Sequence, residues 1–206
     1  MQTHPWRTLW SHKHERWMAI TTVIVCIAVI AIASRYLQVV EQRQGVVLPD
    51  PIHQMVGPYN LTWPTFIVLY GSLITAFIWL RKHPNLMLRG LRAYSILLSL
   101  RLLGMYLLAL NAPPSMIPLN DPIVQAVASD TGATLTKDLF FSGHTSVMFM
   151  AALVMPSLWK RRVFLVLGTL VGVAVVLQHV HYTVDVMVAP MAAITAVMLA
   201  GKTTRS

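Results

Sequence analysis

Two short stretches of this chain combine histidine, serine and aspartate at spacings that suit phosphate chemistry. The first is Ser142-Gly143-His144, and the second runs from His181 to Asp185. Asp185 is four residues after His181, so on a helix the two would share one face. The carboxylate could then hold one imidazole nitrogen protonated and leave the other free as a nucleophile. The other histidine, His144, would then be the general acid that protonates a leaving oxygen.

A cation and an anion seat complete this hypothesis. Ser142 and Gly143 precede a predicted helix, whose first N–H groups and dipole attract anions. Arg101 lies inside an apolar run, 12 residues beyond Arg89 and about 18 Å farther along a helix. A lone arginine there needs a partner. A substrate phosphate or a carboxylate of this site is predicted, and a structural ion pair is the alternative.

Each histidine taken singly is more often a packing residue than a catalytic one. Two histidines and an aspartate at one membrane face favour a site instead. Zinc is a further alternative, with ligands from His144, His179, His181 and Asp185. On a helix, however, the HxH spacing of His179 and His181 places them about 200° apart, so no metal site is predicted.

The composition indicates an integral membrane protein with one domain over residues 1–206. The chain is 56% hydrophobic and 11% charged, whereas soluble domains carry about 25% charged residues. The net charge of +9 comes from basic residues between apolar runs, which indicates topology signals and not a nucleic-acid surface. The single cysteine, Cys26, lies in an apolar run and excludes a disulfide framework.

Six apolar runs predict an all-α bundle of six transmembrane helices over about 17–200, after a polar segment at 1–16. The runs lie at 17–34, 62–80, 87–110, 145–159, 163–180 and 182–200. A span takes about 20 residues, so 145–159 is short. The first run ends in Ala31-Ile32-Ala33, which resembles a signal-peptidase site. Its 18 residues exceed a signal core of about 7–15, so we predict an uncleaved helix.

The basic residues of the connecting segments predict the orientation. Ten lie in segments 1–16, 81–86, 160–162 and 201–206, and three lie in the alternate loops, 35–61 and 111–143. By the positive-inside rule both termini face the cytoplasm, and both long loops face the other side. The chain turns at 160–162, so this topology brings His144 and His181 to the same outer face.

These motifs resemble those of a known superfamily. Ser-Gly-His followed by His-x-x-x-Asp is similar to the lipid phosphatases and phosphotransferases named for type 2 phosphatidic acid phosphatase (PAP2). The sphingomyelin synthase branch is more similar still: its Gly-Asp-x-x-x-Ser-Gly-His-Thr motif matches from Asp138 to Thr145, and its His-Tyr-Thr-x-Asp-Val motif matches at 181–186. Two further resemblances are its Leu-Pro-Asp motif, at 48–50, and its third-helix arginine pattern, at Arg89, Arg101 and Met105-Tyr106.

The chain also departs from these patterns. Thr136-Lys137 stands where the branch has Cys-Gly, and Pro190 where it has tyrosine. The two arginine-containing signatures of the phosphatase branch are absent, and Val175 occupies the place of one arginine. This disfavours a plain phosphatase and favours Arg101 as the phosphate clamp.

The resemblance implies a two-step reaction that needs no metal or other cofactor. On this resemblance His181 would attack the phosphorus of a glycerophospholipid, and His144 would protonate the departing diacylglycerol. A lipid alcohol such as ceramide then takes the phospho-head group; with water as acceptor, the same site is a phospholipase C. Asp50, Asp138 and Tyr182 join as candidate substrate-binding residues, although the two aspartates fit loop capping equally well.

The sequence leaves several points open. A PAP2-type lipid phosphate phosphatase and a non-enzymatic transporter are the alternatives of function. The long cytoplasmic extensions of eukaryotic members of the resembled family are missing, which favours a bacterial inner-membrane protein. The predicted topology places the site on the extracytoplasmic side. Neither the head group, the acceptor nor a homo-oligomer can be decided from residues alone.

Overall fold

The protein is described by a computed structural model, which covers residues 5–119 and 136–201. Eight α-helices form within these ranges: α1 (Pro5–Ser11), α2 (Lys13–Gln42), α3 (Pro51–Met55), α4 (Thr62–Leu80), α5 (Pro84–Leu107), α6 (Gly143–Val154), α7 (Leu158–Leu177) and α8 (Thr183–Leu199). The same ranges contain no β-strand, and one isolated parallel bridge joins Val46 to Leu110.

The six longer helices lie over the six predicted apolar runs, but the first is longer than expected. Helix α2 begins at Lys13 and continues to Gln42, so residues 35–42 are helical and not part of a loop. These residues include no glycine or proline, so nothing in them interrupts the helix before Gly45. The polar segment 1–16 likewise contains helix α1 and the first turn of α2.

The turn between α6 and α7 comes earlier than predicted. Helix α6 ends at Val154 rather than 159, and α7 begins at Leu158. Pro156 explains the difference, because a proline disfavours helical backbone at the preceding residue, and Met155 is extended with ψ 139°. The basic residues at 160–162 therefore belong to the start of α7. Helix α7 also ends earlier, at Leu177 instead of 180.

Two helices, Lys13–Gln42 and Thr62–Leu80, are long and apolar enough to cross a membrane. The shorter helices α6 and α8 are also apolar. These features are consistent with a membrane protein. Six membrane crossings and cytoplasmic termini stay predictions.

Helix α6 is central to the bundle. It packs against α4, α5, α7 and α8, while α2 lies on α5. Alanines fill the tightest contacts, because a small side chain lets two helix backbones approach closely. Ala152, Ala189, Ala193 and Ala196 are almost completely buried.

The loops that follow α2, α5 and α7 meet at the end of the bundle where α6 and α8 begin. The Val46 N–H donates to the Ala109 carbonyl at 3.0 Å, and the Asn111 N–H donates to the Val46 carbonyl at 3.0 Å. Gly45 permits this approach, because a Cβ there would lie 2.6 Å from the Leu110 carbonyl carbon. The Ile117 N–H donates to the Gln178 carbonyl at 3.2 Å, which adds the loop after α7. The three loops therefore form one layer at this end of the bundle.

Candidate active site

His181 and Asp185 form a buried pair beneath this layer. His181 lies in the turn 178–182 and Asp185 in the first turn of α8, so they do not share one helix face as predicted. The His181 Nδ1 is 3.4 Å from the Asp185 Oδ2, and the two residues are 2% and 1% exposed. A carboxylate only accepts, so Nδ1 carries the proton and the lone pair remains on Nε2.

The charges around His181 connect the two motifs. Burial lowers the pKa of His181, the hydrogen bond and negative charge of Asp185 raise it, and the positive charges of Arg101 and His144 lower it again. The net direction is downward from the ordinary value of about 6.5. Arg101 and His144 are therefore near enough to His181 for their charges to influence it.

His179 points away from this pair, for a reason other than the one predicted. The two histidines lie in a turn and not on a helix, and His179 has a φ of +58°. Its Nδ1 is 2.6 Å from the Ser115 Oγ, and its Nε2 is 3.0 Å from the Val56 carbonyl oxygen. In the described part of the chain, histidine, cysteine, aspartate and glutamate form no group of three or more that could hold a metal.

Arg101 meets a carboxylate. Its Nη2 lies 2.8 Å from the Asp138 Oδ1 and donates to the Asp138 carbonyl oxygen at 2.9 Å. The other side of the guanidinium lies against Gly143, where a Cβ would overlap Nη1 and approach Cζ to 2.6 Å. Of the two partners that the sequence left open, the structure shows the carboxylate.

The guanidinium also lies at the N-terminus of α6, where the helix dipole is positive. Ser142 caps this helix, and its Oγ accepts from the Thr145 N–H at 3.4 Å. The Ser142 N–H donates to the Asp185 carbonyl at 3.1 Å, which joins the two motifs. A cation at the positive end of a helix is unfavourable unless an anion is present. Asp138 is that anion in this structure, and the N-terminus of α6 beside Arg101 and Gly143 also suits a negatively charged ligand.

The backbone before Ser142 is strained. Phe140 and Phe141 have φ values of +62° and +39°, a region that bulky side chains rarely adopt. Burial of their rings offsets this cost: Phe141 is 3% exposed, and the Phe140 ring packs so closely on Gly104 that a Cβ there would overlap it. Strain of this kind is concentrated at functional sites. The sequence provided no signal for it.

A mostly apolar cavity of about 410 Å³ extends from this place between α4, α5 and α6. Four predicted site residues line one end: Arg101, Asp138, Gly143 and His144. Leu80, Met87 and Val154 lie at the other end, where α4 finishes, α5 begins and α6 finishes. The cavity therefore follows the length of the bundle, with its ionic groups at one end.

Five predicted site residues do not line this cavity: Ser142, His181, Asp185, Asp50 and Tyr182. Asp50 and Tyr182 lie in the loop layer. The buried Asp50 caps α3 by accepting from the Ile52 N–H at 2.9 Å, and it accepts from the Thr183 N–H at 2.6 Å at the start of α8. Burial raises the pKa of Asp50, but these hydrogen bonds and His53 lower it more, so the net direction is downward. The Tyr182 hydroxyl donates to the Asn111 carbonyl at 2.9 Å. In this structure both residues join loops; substrate contact stays a prediction for them.

Sequence reasoning missed Gln178. This residue is completely buried, and its side chain bonds the Leu61 N–H at 3.0 Å, the Thr62 Oγ1 at 2.8 Å and the Ile117 carbonyl at 3.1 Å. These bonds hold the turn that carries His181. In the sequence it could be recognised only as a polar residue next to the second motif. Its bonding partners lie 61 to 117 positions away, so no local pattern shows them.

The fold and the site together define a class of protein. It is helical in its described ranges, has two candidate membrane helices, and has a buried histidine–aspartate pair near the ionic end of an apolar cavity. The family model described as PAP2 superfamily C-terminal matches residues 137–202, less than half of the chain. This match supports PAP2 superfamily membership and an activity of the lipid phosphatase or phosphotransferase type. It includes His144, His181 and Asp185 but not Arg101. None of the curated proteins matches the chain.

Proposed function

We propose that this protein is a lipid head-group phosphotransferase that resembles sphingomyelin synthase and works through a phosphohistidine. The observation that carries the proposal is the position of Arg101 and His144 at the end of the apolar cavity. A phosphate at that end and a lipid chain in the remainder would each meet matching chemistry.

The length of the cavity supports a lipid. From Arg101 to Met87 is 14 residues of helix, or about 21 Å at 1.5 Å per residue. One leaflet of a bilayer core measures about 15 Å, half of about 30 Å. An acyl chain of ordinary length therefore fits while its phosphate remains at Arg101. A water-soluble phosphate ester would leave this apolar volume unused.

The residues have the following roles in the two steps. The His181 Nε2 attacks phosphorus, the bond from phosphorus to the diacylglycerol oxygen breaks, and His144 gives that oxygen its proton. In the second step His144 takes the proton of the acceptor hydroxyl, the acceptor oxygen attacks phosphorus, and the phosphorus–nitrogen bond breaks to restore His181. Asp185 holds the imidazole, and Arg101 balances charge on the phosphoryl oxygens.

The burial of His181 supports transfer over hydrolysis. The residue is only 2% exposed, so bulk water has little access to its ring. A water-excluding site protects a reactive intermediate from hydrolysis. We therefore propose a lipid alcohol as the main acceptor and phospholipase C activity as the side reaction.

Mass-spectrometric product analysis tests the proposal. Liposomes with the purified protein receive phosphatidylcholine, phosphatidylethanolamine or phosphatidic acid, with and without ceramide, beside a His181→Ala control. Diacylglycerol together with a head-group-bearing acceptor lipid is the expected result and identifies the head group. Diacylglycerol from phosphatidic acid alone, with inorganic phosphate, would indicate the phosphatase; no turnover of any lipid would favour the transporter.

The pH dependence follows from the pKa of His181. The nucleophile must be neutral, and its pKa is lowered, so activity persists below the ordinary histidine value and falls only as the pH drops through the lowered pKa. We expect the acid limb of kcat/KM to lie below about pH 6.5. The donor should be a zwitterionic phospholipid whose charge does not change near neutral pH. An acid limb above about pH 6.5 would contradict a neutral, buried His181 as the nucleophile.

A bulky residue in the cavity should change chain-length preference. Leu73 lines the cavity on α4, and Leu73→Trp should raise KM for long-chain donors about tenfold while short-chain donors are unaffected, because about two buried methylenes are displaced. The matched control is Ile74→Trp at the next position, which is 61% exposed and does not line the cavity. Equal behaviour of the two variants would place the acyl chain elsewhere.

A further inference from the structure

Glu41, the second-last residue of α2, binds the segment that leads into the site. Its carboxylate accepts from the Thr136 N–H at 2.9 Å, the Thr136 hydroxyl at 2.5 Å and the Lys137 N–H at 3.0 Å. These are three hydrogen bonds to a charged acceptor, each stronger than a neutral one. The segment immediately before Asp138 is therefore attached to the end of α2.

The same end of α2 also holds the last turn of α5. The Arg43 guanidinium donates to the Met105 carbonyl at 2.9 Å and to the Tyr106 carbonyl at 3.2 Å. The Lys137 ammonium donates to the Arg43 carbonyl at 2.6 Å, which closes the connection. Residues 41–43 thus join the backbone next to Asp138 with the helix that carries Arg101.

The position of Glu41 is unfavourable for α2 itself. A carboxylate in the last turn lies at the negative end of the helix dipole, which destabilises it. Glu41 is also partly buried, so it has lost part of its hydration. The three hydrogen bonds offset these costs only while Thr136 and Lys137 remain in place.

We propose that Glu41 is a positioning residue that fixes Asp138 against Arg101 and thereby sets the phosphate-binding geometry. The inference rests on the proposed function, since it takes Arg101 as the phosphate ligand. Asp138 is one residue from the bonded Lys137, and Arg101 is four residues from the bonded Met105. The bonded pair, Thr136-Lys137, is also where the chain departs from the Cys-Gly of the sphingomyelin synthase pattern.

Kinetics of Glu41→Ala and Glu41→Gln in the full-length protein test this role. Glu41→Ala should raise KM for the phospholipid donor about tenfold and change kcat less than about threefold, because substrate anchoring is lost while His181 is untouched. Glu41→Gln should recover most of the loss, since its amide oxygen can accept from both N–H groups and its NH₂ can donate to the Thr136 hydroxyl. The control is Glu15→Ala, at the opposite end of the same helix, with unchanged kinetics.

A double-mutant cycle separates positioning from general support of the fold. Arg101→Lys keeps the charge but lacks the planar fork that Asp138 and phosphate engage. If Glu41 acts through Arg101, Glu41→Ala should cost less than about twofold in the Arg101→Lys background. Fully multiplicative losses, or wild-type kinetics in Glu41→Ala, would overturn the inference while leaving the phosphotransferase proposal intact.

Orthovanadate, a phosphate analogue, provides a readout that needs no turnover. It should raise the melting temperature of the wild-type protein, less so that of Glu41→Ala, and not that of Arg101→Ala. This pattern would support the positioning role even if no lipid were turned over and the proposed function failed. Equal stabilisation of wild type and Glu41→Ala, or none of the wild type, would overturn it.

Discussion

His181→Ala should abolish both transfer to a lipid alcohol and hydrolysis, with a loss of at least about 10⁴-fold in kcat. The structure provides the reason. Nδ1 of this ring faces Asp185, so Nε2 is the nitrogen that we propose as the nucleophile, and alanine has no nitrogen to replace it. Product formation and trapping of the phosphoenzyme with a head-group-labelled phospholipid measure the two effects together. Turnover within tenfold of wild type would exclude His181 as the nucleophile.

Asp185→Asn is the comparison for this experiment, because it keeps the shape of the buried pair. An amide can present NH₂ to Nδ1, so the imidazole proton moves to Nε2 and the nucleophilic lone pair is lost. Asparagine fills the same space as aspartate, so the substitution leaves no void in the packing. By analogy with other histidine–aspartate pairs we expect a loss of about 10²–10⁴-fold in kcat. Thermal unfolding serves as the folding control for both variants, since both residues are buried. A near-normal rate would remove Asp185 from the mechanism.

Gly143→Ala is the second substitution that we expect to lower activity strongly. A Cβ at this position would overlap Nη1 of Arg101 and lie 2.6 Å from its Cζ. The guanidinium must then leave both the α6 terminus and Asp138. Since small misplacements of a charge-stabilising group cost about 10²-fold, we expect kcat/KM to fall by about 10²–10³-fold. Alanine is the better helix former, so the fold should survive.

Gly90→Ala is the matched control for this change. Gly90 lines the same cavity on α5, but a Cβ there would meet only Val154 Cγ1 at 3.7 Å, an ordinary contact. We expect kcat/KM within about twofold of wild type and a helix stabilised by up to about 1 kcal/mol. If the two glycine variants behaved alike, the close approach of Arg101 to Gly143 would have no part in the activity.

The six longer helices could be predicted from the sequence, because helix formation depends on near neighbours, whereas the short helices α1 and α3 were not predicted. The length and hydropathy of the apolar run at 62–80 predicted α4 with the bounds that the structure shows. Composition likewise indicated a membrane protein, consistent with two long apolar helices. The helix ends were harder to predict. The early end of α6 follows from Pro156. Helix α2 continues to Gln42 because residues 35–42 contain no glycine or proline.

The types of the site residues could also be predicted, but their partners could not. A histidine four residues before an aspartate indicated the His181–Asp185 contact, although a turn and not a helix face produces it. For Arg101 the sequence required an anion without selecting one. Asp138, 37 positions away, was selected by the packing of α5 against the start of α6.

Only the tertiary structure revealed the cavity and the Glu41 contacts. A cavity is the space that three helices leave between them, so it depends on how side chains far apart in sequence pack. Glu41 reaches Thr136 across 95 positions, and no local pattern encodes such a bond. The longer helices and the chemical groups of the site could thus be predicted, because these depend on near neighbours and residue type. Tertiary packing decided which groups meet, because that depends on the whole bundle.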